Sequence, residues 1–441
     1  MSPIVYRTLT VLCELVLGLQ IGTNLGLLHV LLALVSGQLL LTRGALFPAL
    51  DALGLRPAAV RRAWAAVSGG DWAIRQLLQR WQTFVQRENR WHAHRHGGYQ
   101  ALAVDTSAFF RPRLHACPTK HYHPQAGKAL PAIPFGLIGR VGSVTQQRQA
   151  LPLAFVRASG ARPSESSLQQ QTVRQAVALA EAQDVLVVDR GFKLKRLQHA
   201  QVKQYVARGP KNFTARRSQL PDYVGRGRPP TFGLKVRPLP RRYKGKTTPA
   251  TVPDHTESWS EHGTTLRADW WYDLVLPDAR PGAATFQVVV IHDPRWTEPL
   301  VLLTNLRVAA SLVRDLFHDR WPIEQLPLVA KQLIGAERQW VSAPEACQRL
   351  PELALFAGCV LSYLAATLPC LPSGFWDRTP RRTAGRLRRV LLRADFFTDF
   401  TLPERIREKA SLTTQLPKGI SALLRHFERQ HSAHVLPAPA I

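Results

Sequence analysis

Cysteine is scarce in this 441-residue chain. Cys13, Cys117, Cys347, Cys359 and Cys370 are odd in number and form no CxxC pair. That pattern excludes a disulfide framework and a zinc ribbon and fits a reducing compartment, so a cytoplasmic location is expected. Acids are scarce too: 30 Asp and Glu stand against 58 Lys and Arg, leaving a net charge of +28. Such an excess needs an anionic partner. Because arginine recurs from Arg56 to Arg429 rather than in one compact segment, nucleic acid is favoured over an acidic membrane surface. Long apolar runs are missing as well. The nearest, residues 25–41, is broken by His29, Ser36, Gly37 and Gln38 and falls short of the ~20 residues a bilayer requires, so it is expected to be a buried helix. The N-terminus has neither the flanking charge nor the cleavage site of a secretory signal, and no internal repeat is found.

What is present has a globular balance, with 45% hydrophobic residues. Residues 1–95 carry apolar positions at helical spacing, with Pro57 placed to start a helix. Their later part sets Arg61, Arg62, Arg75, Arg80 and Arg87 among Trp64, Trp72 and Trp81, which suits either a helical DNA-binding unit or a solvated basic face. From 96 to 206 the pattern changes to short apolar runs with one helical stretch near 165–183, an α/β alternation. Residues 207–284, rich in Pro, Gly, Arg and Thr, suggest a β-rich insertion. The α/β pattern resumes over 285–341, and 342–441 are expected to be helical and basic.

Between residues 96 and 206 there are only five carboxylates, and two of them end apolar runs: ALAVD at Asp105 and VLVVD at Asp189. Open α/β sheets place ligand groups at such strand ends, although an Asp that merely caps a turn gives the same local pattern. A third element adds specificity. In Phe317-His-Asp-Arg320-Trp-Pro-Ile-Glu324, continuing to Lys331, Glu324 and Lys331 are seven residues apart. At ~100° per residue they fall within about 20° of each other on a helix, so both are expected to face one site. Pro322 is expected in the first helical turn, and Pro327 is a potential bend that leaves the direction of Arg320 open.

The segment Phe317–Lys331 resembles the Tyr-x2-Arg-x3-Glu-x6-Lys signature of IS4-type insertion-sequence transposases, with Phe317 in place of the Tyr. Asp189-Arg-Gly-Phe and Val104-Asp105-Thr resemble that family's two aspartate motifs, so the resemblance covers residues 100–341. It implies an RNase H-like catalytic core (96–206 and 285–341) interrupted by the insertion and flanked by the helical regions. It implies a DDE transposase in which Asp105, Asp189 and Glu324 are catalytic residues and metal ligands for two Mg2+ ions about 4 Å apart, with Mn2+ able to substitute. Asp105 would bridge the ions. Arg320 and Lys331 would contact transposon-end phosphates, Phe317 would keep an aromatic face for stacking, and the protein would act as a homodimer on double-stranded terminal repeats and target DNA. A decayed or domesticated DNA-binding copy and an RNase H-like nuclease are the alternatives.

Other features carry a functional and a plain reading. Arg226 and Arg228 in Gly-Arg-Gly-Arg-Pro-Pro resemble a minor-groove AT-hook, or form a flexible basic loop. One of Trp259, Trp270, Trp271 and Trp296 could stack on a flipped base, or all could be core. His115-x-Cys117 with His121-x-His123, and His92, His94 and His96, lack an established zinc spacing. Seven arginines from Arg378 to Arg393 suit DNA backbone contact, or a solvated helix face.

Overall fold

The computed structural model describes residues 1–407 except 21, 112, 113, 115, 116, 118, 159–162, 224, 226, 227, 280, 281 and 398. Of the residues singled out above, His115, Arg226 and Arg429 lie outside the described set, as do residues 408–441 of the basic C-terminal region.

Six helices come first: α1 (Pro3–Val16), α2 (Thr23–Val35), α3 (Gln38–Leu41), α4 (Leu46–Asp51), α5 (Pro57–Gly69) and α6 (Ile74–Glu88). Pro57 opens α5 as its fixed φ favours. In α6, Leu77, Leu78, Trp81, Phe84 and Val85 make one buried stripe at i, i+1, i+4, i+7 and i+8, which fixes the face turned to the core. α2 is apolar all round and is buried on every side, as such a helix must be. Trp72 and Trp81 are buried, and Trp64 packs on Phe47, so these tryptophans serve the helical core while Arg61, Arg62 and Arg75 remain exposed.

The chain then builds a large mixed sheet from β1 (Trp91–Ala93), β2 (Gln100–Phe110), β3 (Lys120–His123), β4 (Lys128–Val144) and β5 (Gln147–Arg157), followed by α7 (Glu165–Leu179), β6 (Asp184–Val188), α8 (Leu194–His199) and β7 (Tyr205–Arg208). β5, β4 and β2 pair antiparallel, whereas β6 joins β2 and β7 joins β6 in parallel, giving the order β5-β4-β2-β6-β7. Two short strands, β8 (Ala215–Arg217) and β9 (Lys235–Val236), and a separate hairpin, β10 (Arg241–Tyr243) with β11 (Lys246–Thr248), precede β12 (His255–Glu261), β13 (Thr264–Val275), β14 (Phe286–His292) and β15 (Leu300–Thr304). β15 pairs with β7, β14 with β15, β13 with β14, and β8 and β12 with β13, so β8, β9 and β12 to β15 extend the same sheet while β10 and β11 pair with each other.

Helices α9 (Ala310–His318), α10 (Trp321–Gln332), α11 (Pro344–Thr367) and α12 (Ala384–Leu392) follow. Strand alternation decides what packs where. Leu102, Val104, Leu186 and Val188 turn to the side covered by α7 and α8, while Ala101, Ala103, Val185 and Val187 turn to the opposite side, where α9, α10 and α11 pack. Two glycines of β4 admit these layers: a Cβ at Gly136 would meet the Thr172 side chain of α7 at 1.9 Å, and one at Gly139 would meet Ile323 of α10 at 3.1 Å.

The helix that best matches a membrane span by length and composition lies after 342 and not at residues 25–41, where the apolar helix is shorter. α11 is 24 residues long and apolar enough to cross a membrane, the only such helix among the described residues, yet 89% of its apolar window is buried inside the protein. Its one deeply buried acid, Glu352, is held by Nε and Nη2 of Arg157 on β5, both at 2.6 Å. The arginine-rich stretch 378–393 is helical only from Ala384, because Pro380 and the loop before it interrupt the pattern.

Candidate active site

Asp189 follows directly on β6, as a strand-end ligand should, but Asp105 lies in the middle of β2. The strand continues because Thr106 to Phe110, among which Thr106, Phe109 and Phe110 favour a sheet, pair with Gly136 to Ala132. The two acids nevertheless meet. The parallel register pairs Val104 with Val188, so Asp105 and Asp189 occupy the next positions on neighbouring strands roughly 4.8 Å apart. By alternation with Ala103 and Val187, both belong to the face on which α9 and α10 lie.

Glu324 sits in the first turn of α10, with Pro322 just before it as the sequence predicts. Arg320 precedes that helix and is buried, only 7% exposed. Its Nη1 stands 3.5 Å from Oδ2 of Asp105, and its Nη2 hydrogen-bonds Oε1 of Glu324 one turn on. The guanidinium thus stands between two of the acids, over the ring of Phe317 at 5.7 Å. The Thr106 amide donates to Oδ1 of Asp105 at 2.8 Å. Burial pushes the Asp105 carboxyl up to about 6. Arg320 and the Thr106 amide pull it down, and the charges of Glu324 and Asp189 push it up again.

The site is incompletely satisfied. Arg208 lies 3.6 Å from Oδ1 of Asp189, too long for a hydrogen bond, and that buried oxygen has no other partner. Nε and Nη1 of Arg320 are likewise buried without a hydrogen bond. Such orphans are uncommon in a settled interior. Arg208 was missed in the sequence, although the register Val188 to Ala207 puts it beside Asp189 once β6 and β7 are known to be neighbours.

Lys331 does not join the carboxylates. Its Nζ lies 3.5 Å from Glu337 and 5.5 Å from the ring centre of Phe109, and burial lowers its pKa against the opposing pull of Glu337. Helical angle aligned it with Glu324, but seven residues also advance ~10 Å along the axis, which carries Lys331 toward the far end of β2.

Beside Asp189 opens a cleft of about 680 Å3 lined by Arg190, Arg208, Trp296 and Phe317 among others. Trp296 is 71% exposed at this cleft, whereas Trp270 and Trp271 are buried and Trp259 is half-buried. Arg228 is exposed in the loop before β9.

Among the described residues, only His94, His96 and Asp319 bring three ligand atoms within 4.8 Å of one another. His94 Nδ1 donates to Asp319 at 3.0 Å, His96 Nε2 at 2.7 Å and Arg148 Nη2 at 2.7 Å, while His94 Nε2 shares a 2.7 Å hydrogen bond with Ser143. The histidines lie more than 220 residues from Asp319, so no local signal links them. His92 is exposed and outside this group. His121 instead faces Glu165 at 3.6 Å, and His123 accepts from the Ala126 amide.

The comparisons with known protein families and with curated proteins find no match to this chain.

Proposed function

We propose that the protein is a DDE transposase that cleaves DNA at terminal inverted repeats and joins the ends to target DNA. The observation that carries this reading is the convergence of Asp105 and Asp189, side by side on parallel strands, beneath the helix that presents Glu324. Three antiparallel strands continued by two parallel ones, with Asp105 on the central strand β2 and Asp189 just past the end of its parallel neighbour β6, support an RNase H-like core. The donor set fits Mg2+ or Mn2+: three carboxylates supply hard oxygens, one buried Asp189 oxygen lacks a partner, and Asp105 is an acid that burial disfavours unless a cation compensates it. Bound by these carboxylates, the ions would activate a water or 3′-hydroxyl and stabilise the leaving oxygen.

The protein's own groups complete the arrangement. The Thr106 amide fixes one oxygen of Asp105. Arg320 offsets the charge of Asp105 and Glu324, and its Nε and Nη1, buried without a hydrogen bond, would have to be uncovered before their N–H groups could meet a phosphate. Arg190 and Arg208 give the adjoining cleft a positive wall suited to a DNA backbone, with the exposed Trp296 ring available for stacking on a base. Phe317 lacks the hydroxyl of the Tyr it replaces, which removes a phosphate hydrogen bond and leaves the ring. A dimer on DNA would bring two ends together.

Inverted repeats flanking the gene define the substrate. Purified protein with Mg2+ should nick a labelled duplex carrying them and transfer the strand to a target plasmid. Asp105→Ala, Asp189→Ala and Glu324→Ala should each reduce nicking to background while still shifting the duplex on a gel. Full activity in any one of these variants would sink the reading. A wild-type shift without nicking would favour a domesticated DNA binder, and nicking without strand transfer a nuclease.

A further inference from the structure

The largest exposed hydrophobic side chains lie far from the carboxylates. Phe375 is 92% exposed and Trp376 87%, the highest values among the large hydrophobics of the described residues. They stand together at the tip of the loop between α11 and α12, ring centres 5.1 Å apart and nearly perpendicular.

The loop that carries them is built, not slack. Leu371 and Arg381 close its base with two backbone hydrogen bonds of 3.1 Å. Inside it, the Asp377 carboxylate accepts from the amides of Ser373 (2.7 Å) and Thr379 (2.9 Å) and pairs with Arg386 at 2.8 Å. Arg386 also donates to the Leu371 carbonyl and Arg389 to that of Ser373, so two α12 arginines brace the turn from below. A loop held at so many points keeps two large rings in water at a hydrophobic cost, with no contact among the described residues that buries them.

Its surroundings indicate what covers the rings. From 371 to 393 the sequence has seven arginines and one acid, Asp377. Arg378, Arg381 and Arg393 are exposed, and among the described residues none has a carboxylate within ion-pair distance. The patch therefore combines flat aromatic faces with unneutralised guanidinium groups, the combination that binds unpaired bases and the backbone linking them. It is also a separate surface. Gln147, at the β4–β5 turn, bonds the Arg382 carbonyl, and that turn lies seven β4 residues beyond Leu137, the partner of Asp105, or roughly 23 Å along the strand.

We propose that the Phe375–Trp376 loop is a second DNA-binding surface that stacks on unpaired or unstacked bases while Arg378 and Arg381 hold the adjoining phosphates. This rests on the reading of the protein as DNA-binding. The test uses the full chain and a fluorescein-labelled duplex containing a short single-stranded gap with 2-aminopurine, against the same duplex fully paired. Wild type should prefer the gapped DNA and quench 2-aminopurine. The F375A/W376A variant, whose rings touch little else, should melt as wild type does, bind gapped DNA about tenfold more weakly or worse, and lose the quenching. R378Q/R381Q should weaken binding to both duplexes and lower the slope of log affinity against log salt by about 2.

If wild type binds DNA and F375A/W376A binds and quenches equally, the loop proposal falls and the DNA reading stands. If wild type binds neither duplex, both fall. Loss of self-association in F375A/W376A with DNA binding intact would overturn the proposal in favour of a second copy of the chain. Loss of binding only to phosphatidylserine vesicles would overturn it in favour of a lipid surface.

Discussion

Two acid-centred clusters lie next to each other in this protein, joined by the peptide bond between Asp319 and Arg320, and they are built in opposite ways. Asp319 is enclosed by His94, His96 and Arg148, with both of its oxygens hydrogen-bonded. Burial works against its ionisation, but the hydrogen bonds from His96 and His94 and the nearby positive charges hold its carboxyl below the usual range. Asp105, Asp189 and Glu324 have one buried guanidinium between two of them, an orphan oxygen on the third, and an Asp105 carboxyl pushed up to about 6. The first cluster is complete without a ligand and the second is not. Compactness alone would select the His94–His96–Asp319 group as the metal centre, but Arg148 already neutralises it. Satisfaction, more than proximity, separates scaffold from site.

The sharpest contrast is in the sign of charge removal. Asp319→Asn should destabilise the protein by about 3 kcal/mol in urea denaturation, because it leaves partners of a buried carboxylate unpaired. A neutral result would make the cluster dispensable and break the comparison. Asp105→Asn should do the reverse and stabilise by about 1–3 kcal/mol at pH 7–8, since the folded state holds that carboxyl near 6 against ~3.9 when unfolded. The folded form binds its proton more tightly, so the penalty is full above pH about 6 and gone below about 4. The gain in Asp105→Asn should follow that profile in thermal melts.

The satisfied cluster has its own pH signature. His96 is raised, first by its hydrogen bond to Asp319, so its contribution is full below about pH 6.5 and is lost as pH rises through the higher folded value. Asp319 is lowered, so its contribution is present above about pH 4 and is lost as pH falls through the folded value. The deficit of Asp319→Asn should therefore be largest between pH about 4 and 6.5. Smallest of all, Ser143→Ala removes one hydrogen bond to His94 and should cost about 1 kcal/mol. A larger loss would mean that Ser143, rather than Asp319, organises the cluster.

The sequence made one cluster readable and hid the other. Asp105 and Asp189 stand out because apolar runs lead into them, and Glu324 because the Phe317–Lys331 segment that carries it resembles a family signature contained in one short stretch of chain. Asp105 was misjudged as a strand end because the pairing of Thr106–Phe110 with Ala132–Gly136 depends on a distant strand. Lys331 lies beside Glu337 and Phe109 and not among the carboxylates, because helical angle says nothing about axial distance. Asp319 was invisible as a site, since its partners come from the β1 region and from β5. The helical N-terminal region and the α/β alternation were evident from periodicity, whereas the continuation of one sheet from β7 through β15 into the Pro- and Gly-rich segment depends on strand pairing that composition does not encode.

A single Mn2+ soak of crystals, read by anomalous scattering, decides whether the three carboxylates hold a metal. Density is expected among Asp105, Asp189 and Glu324, with none at His94, His96 and Asp319. Density at the histidine cluster with none among the three carboxylates would contradict that expectation.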